Sequence, residues 1–108
     1  MKKRQEPVPA ERSATVRAAL REELLKGYAT AHELSERLRI PEKEVPGHLE
    51  HLARSAKQRG EKLAVLPSAC PDCGFEFRSR KRLTRPGRCP ECGGERVDAP
   101  AFRIEAER

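Results

Sequence analysis

Aromatic residues are scarce. The chain of 108 residues has no tryptophan, one tyrosine and three phenylalanines. With 36% hydrophobic residues and so few large rings it can bury only one modest core, and part of the fold needs a staple. The same scarcity leaves no row of stacking platforms for unpaired bases. Phe75, Phe77 and Phe102 each alternate with charged or polar neighbours, as core residues of half-buried strands do. No apolar run approaches the length of a membrane span, and Met1-Lys2-Lys3-Arg4-Gln5-Glu6 is not followed by the apolar stretch of a signal peptide. The expectation is a soluble, cytoplasmic protein with no membrane partner. A nucleophile beside a base, a glycine-rich phosphate loop and an open metal triad are all missing as well, which speaks against an enzyme.

Cysteine is confined to two matched knuckles, Cys70-Pro71-Asp72-Cys73-Gly74 and Cys89-Pro90-Glu91-Cys92-Gly93. Two residues between thiols let both sulfurs of a tight turn face one ion, and two such turns supply four ligands at roughly 2.3 Å. Gly74 and Gly93 follow each pair where the chain must turn into left-handed backbone. A redox dithiol of the thioredoxin kind needs one such pair beside a βαβ pattern, which this chain lacks. Cys70, Cys73, Cys89 and Cys92 are therefore expected to hold one structural Zn2+, with no open position for catalysis. Four thiolates and a dication carry a charge of −2, so the formal +6 of the chain falls to about +4 once the ion is bound.

That positive balance, with a pI near 9.5, suits a polyanionic partner, although 37% of all residues are charged and many are acidic. Along the chain, residues 1–11 carry Pro7 and Pro9 among charges and read as a flexible tail. Ser13 can cap a first helix with Val16, Ala19, Leu20 and Leu24 on one face and Gly27 at its end. Thr30-Ala31-His32-Glu33 has capping-box form and opens a second, short helix bearing Leu34 and Leu38. After Pro41 comes a third stripe, Val45, Leu49, Leu52 and Ala56, ended by Gly60. Segments 62–67, 75–77 and 101–105 read as short strands.

Segment 33–52 resembles the helix-turn-helix of winged-helix regulators in the spacing of Leu34, Leu38, Ile40, Val45, Leu49 and Leu52. With the four-cysteine ribbon behind it, the chain is similar over residues 12–106 to the predicted transcriptional regulators that fuse a winged helix-turn-helix to a zinc ribbon. The resemblance implies an α+β fold: three helices plus a β wing over residues 12–67, and a zinc ribbon with a C-terminal strand over 68–108, inserted in or appended to the wing. It also implies a DNA-binding role, with 41–57 as recognition helix and double-stranded DNA as partner.

The residues depart from that pattern where base reading should occur. Glu42, Glu44, Pro46 and Gly47 stand at the start of the third helix, where donors to base edges are expected, and Pro46 lacks a backbone donor. Only Lys43, and less readily His48, remain as readers there. Other cations gather at Arg54 and Lys57, and along the ribbon at Arg78, Arg80, Lys81, Arg82 and Arg85, where they can meet phosphates without reading sequence. The plainer reading of these arginines is a solvated surface that screens the thiolates. The alternative function is a protein-interaction or adaptor module in transcription or metal-delivery machinery. Leu25 on the first helix offers a contact through which a homodimer can form. For the wing, the expectation is that Leu63-Ala64-Val65 pairs antiparallel with Phe102-Arg103-Ile104, so that Leu63, Val65, Phe102 and Ile104 close the core against Leu20, Leu24 and Leu49.

Overall fold

The computed structural model describes residues 10–80 and 82–107. The chain is α+β, in the order α1 (Ala10–Lys26), β1 (Ala29–Thr30), α2 (Ala31–Leu38), a 3-10 turn (Glu42–Glu44), α3 (Val45–Ala56), a second 3-10 turn (Lys57–Arg59), β2 (Glu61–Leu66) and β3 (Ala101–Ala106). Helix α1 begins at Ala10, so Ser13 lies within it and is no cap. The tail expected over residues 1–11 otherwise lies outside the described residues.

Helix α2 begins where its capping box demands. The Thr30 hydroxyl accepts from the Glu33 N–H at 3.2 Å, and the Glu33 carboxylate accepts from the Thr30 N–H at 2.8 Å. Two orphan donors are satisfied reciprocally, and the Thr30 N–H holds the Glu33 pKa below the usual carboxylate value. Arg39, left-handed at φ 57°, ends the helix. The chain then runs through the 3-10 turn, and regular α-helix starts only at Val45, which puts Pro46 in the first turn where a missing N–H does no harm. Within the segment expected as recognition helix, 41–57, regular α-helix is thus flanked by two 3-10 turns, the irregular start being what Pro46 requires, since its ring would collide with the preceding turn of a longer helix.

The sheet is antiparallel in the order β1-β3-β2. Strand β3 lies in the middle, with Leu63 opposite Ile104 and Val65 opposite Phe102 on one side, and Ala29 opposite Phe102 on the other. Segment 67–100 is thus an insertion between two paired strands. Leu20, Leu24, Leu34, Ile40, Val45, Leu49, Leu52, Phe102 and Ile104 form the main core. Leu63 packs against it partly buried, whereas Val65 is 44% exposed. The expectation that Val65 closes the core fails, since its side chain lines a recess with Ser68 and Phe77 of the insertion instead. Arg21 fastens α1 to β2 through Glu61, with N···O distances of 3.3 and 2.6 Å.

Since Phe102 is fully buried and contributed by the strand that follows the ribbon, the helices and β3 should unfold as one unit. Phe102→Ala is expected to cost about 3–5 kcal/mol. In denaturant unfolding followed by circular dichroism, the helical signal should disappear in a single transition at lower denaturant. Retention of the wild-type midpoint would contradict this packing.

Candidate metal centre and basic surfaces

The two knuckles have the same backbone wiring. In the first, the Cys70 N–H donates to the Phe75 carbonyl at 2.8 Å and the Gly74 N–H to the Cys70 carbonyl at 2.7 Å; in the second, the Cys89 N–H donates to the Gly94 carbonyl and the Gly93 N–H to the Cys89 carbonyl, both at 2.8 Å. Gly74 and Gly93 take left-handed φ values of 83° and 74°. These bonds close each turn and direct both sulfurs inward.

The four sulfurs lie within 4.8 Å of one another, with Cys70 to Cys92 and Cys73 to Cys89 each at 3.6 Å. A disulfide would need about 2.05 Å. Tetrahedral thiolates at about 2.3 Å from one ion would stand about 3.8 Å apart, so the donor set fits a metal ion and is consistent with a structural zinc. Cys70 and Cys89 are buried, and Cys73 and Cys92 are exposed.

Without an ion, the protons leave this cluster stepwise. At Cys89, burial favours the thiol, but the N–H groups of Cys92 and Glu91 and the thiols of Cys73 and Cys70 outweigh it and bring the pKa down to about 7. At Cys73, the Phe75 N–H favours the thiolate, but burial and the three neighbouring thiols push the pKa up to about 12. A metal must displace these protons, so binding weakens as pH falls.

Around the sulfurs, Val97 is buried with Cys70 and Cys89, and Phe75 and Phe77 pack on them partly buried. The two rings meet edge to face, with centroids 5.0 Å apart. Segment 75–77, expected as a strand, makes only the single bridge of Ala69 with Glu76, closed by the Cys70 N–H on the Phe75 carbonyl and the Phe77 N–H on the Ser68 carbonyl, the latter at 2.9 Å. Sequence reasoning missed Val97; an isolated valine in a polar stretch beside the second knuckle is the signal that could have found it.

The cations expected to meet nucleic acid fall into separate groups. Arg78, Arg80 and Arg82 line one recess of about 170 Å³ with Val65, Ser68 and Phe77. Arg78 pairs with Glu76, and Arg80 donates to the Thr84 carbonyl and hydroxyl, each at 3.3 Å. Lys81 lies outside the described residues. Arg85 and Lys43 instead line a second cavity between the ribbon and the start of α3. Arg54 and Lys57 are exposed near the end of α3; burial first, then Arg17 and Arg54, depress the pKa of the neighbouring His51. Arg17, Arg21 and Arg59 line a groove between α1 and α3 with His51. Sequence reasoning missed Arg17 because its neighbours in space come from a helix more than thirty residues away. Beside the knuckles, Arg88 is paired with Glu95 and Arg96 with Asp72.

A family model described as PF0610-like, N-terminal, matches residues 15–64, which hold most of α1 and continue into β2. The solution NMR structure of protein PF0610 from Pyrococcus furiosus matches with a TM-score of 0.71 at 28% identity, covering 98% of this chain and 100% of that one. This chain is similar to PF0610 along almost its whole length. The likeness therefore includes the ribbon, which lies beyond the residues that the family model matches. No curated protein matches the chain significantly.

Two outcomes are expected of the centre. Reduced, purified protein should carry one zinc per chain by elemental analysis, and Cys89→Ser should lose it. A metal content well below one would dismiss the site. The histidines give a second check. The Nδ1 of His32 lies 3.1 Å from Glu42 and its Nε2 3.2 Å from Glu36, and these carboxylates raise its pKa. His48 is partly buried, and burial and then Arg17 lower its pKa. The contribution of His32 to stability is complete below about pH 6.5 and lost as pH rises through its folded pKa; that of His48 is present above about 6.5 and lost as pH falls through its own. Proton NMR titration should place the two midpoints on opposite sides of about 6.5.

Proposed function

We propose that the chain is a DNA-binding regulator of transcription, in which α1–α3 with β2 and β3 act as a winged helix-turn-helix and the insertion acts as a zinc ribbon at the tip of the wing. The observation that carries this reading is the convergence of Arg78, Arg80 and Arg82 on one recess where the ribbon leaves the sheet. Only Arg78 of the three is paired with a carboxylate among the described residues. Such a recess suits a backbone phosphate, which gives affinity and salt dependence and no sequence information. Arg54 and Lys57, exposed near the end of α3, would reach phosphates on a second face. The ion has a structural part in this reading, because four thiolates complete its coordination, and no catalytic step is assigned to the chain.

The start of α3 is a weak base reader. Glu42 is engaged by His32, Glu44 lies 4.0 Å from His48, and Lys43 borders a cavity. The preference of the complex for particular sequences is accordingly expected to be shallow. One observation favours the adaptor reading instead: Val65 and Leu66 are 44% and 51% exposed on β2, an edge strand able to take an apolar partner or a second copy.

Titration of labelled duplex DNA at two salt concentrations distinguishes the readings. Binding should weaken steeply with salt, and the triple change Arg78→Ala, Arg80→Ala, Arg82→Ala should flatten the slope by about one unit for each phosphate that is no longer neutralised, alike for unrelated sequences. Absence of binding at low salt would leave the adaptor reading in place.

A further inference from the structure

A cavity of about 360 Å³ lies where the helices, the sheet and the ribbon meet, within the size range of sites for small molecules. Its apolar wall comes from Ala31 of α2, Pro46 of α3, Leu83 of the ribbon, and Ala99, Pro100 and Phe102 at the return to the sheet. Leu83 also packs against the main core. Pro46 suits such a wall doubly, because it presents an apolar ring and carries no N–H to be left unsatisfied.

The polar lining is sparse and mostly positive. His32, Lys43 and Arg85 face one carboxylate, that of Glu42, which is already bonded to His32. Glu36 holds the other nitrogen of His32 and does not line the cavity. Lys43 and Arg85 have no carboxylate partner among the described residues, and Thr84 adds a hydroxyl. Glu42, Lys43 and Pro46, which stand where a DNA reader would present its base-reading residues, are all part of this wall. Their types match a cavity with an apolar floor and a cationic rim better than they match a surface laid on bases.

We propose that this cavity binds a small aromatic carboxylate of the size of a substituted benzoate, its ring against Pro46, Leu83 and Pro100 and its carboxylate on Lys43 and Arg85. The occupant bridges the helical part and the ribbon, and by binding only the folded form it stabilises their joint. The site is independent of DNA binding and stands whether or not the chain meets a duplex.

The test uses the full, zinc-loaded chain labelled with nitrogen-15. Sodium benzoate at millimolar concentration should produce saturable shifts in the amides of Ala31, Leu83, Thr84, Arg85, Ala99 and Phe102. Benzamide, of the same shape without the charge, should bind roughly ten-fold more weakly. Lys43→Gln and Arg85→Gln replace exposed side chains and should each weaken benzoate by a similar factor while leaving the spectrum dispersed. Leu83→Trp, which fills the cavity, should abolish the shifts. The proposal is overturned if benzoate gives no saturable shift in that set of amides, if benzamide binds as tightly, or if both glutamine variants bind benzoate like the parent chain.

Discussion

The structure depends on one closure. Strand β3, the central strand of the sheet and the source of Phe102 and Ile104, is separated from its neighbour β2 by segment 67–100. A flexible loop of that length would have to surrender its freedom each time the strands paired, and the penalty grows with the logarithm of its length. Four thiols drawn within 4.8 Å of one another shorten the loop by folding it on itself. The ribbon thereby becomes part of how the helical core is completed. Asp98, whose N–H donates to the Ala69 carbonyl at 2.9 Å, shows the two ends of the insertion held side by side before they enter the sheet.

A scarce core explains why so much of the remaining structure is tied by polar devices. The buried set contains one phenylalanine and otherwise mostly aliphatic side chains, so the apolar contribution per residue is modest. The capping box at Thr30, the bidentate pairing of Arg21 with Glu61 and the two knuckles each fix a junction that packing alone would leave loose. The likeness to PF0610 at 28% identity is consistent with this division: a fold set by a few junctions tolerates wide change between them.

What could be read from sequence followed from how rigidly chemistry fixes spacing. The cysteine pairs and their glycines were legible because a metal admits few arrangements, and the stripe of Val45, Leu49, Leu52 and Ala56 because a helix repeats. The pairing of 62–66 with 101–105 was legible from matched distances to the knuckles. Strand β1 was not, since two residues carry no period. The core position expected for Val65 fails because alternation gives the side of a strand and says nothing about how far along it the core extends. Numbering along the chain groups the basic residues, whereas the fold distributes Lys43, Arg54, Arg80 and Arg85 over different surfaces. Pro46 looks like a defect in a helix that begins at Pro41, and its place becomes clear once regular helix is seen to start at Val45.

The order β1-β3-β2 has a consequence for synthesis on the ribosome. The middle strand is made after both strands that flank it, so neither edge can pair until Ala101–Ala106 has left the exit tunnel. At about 5–20 residues per second the four cysteines emerge before β3 does, while Leu24 and Leu49 are still uncovered. Closure of the two knuckles is then the natural first step of assembly. A nascent chain that reached its last strand with the knuckles apart would have to find the centre of its sheet across an open loop, with its helices exposed to other chains in the meantime.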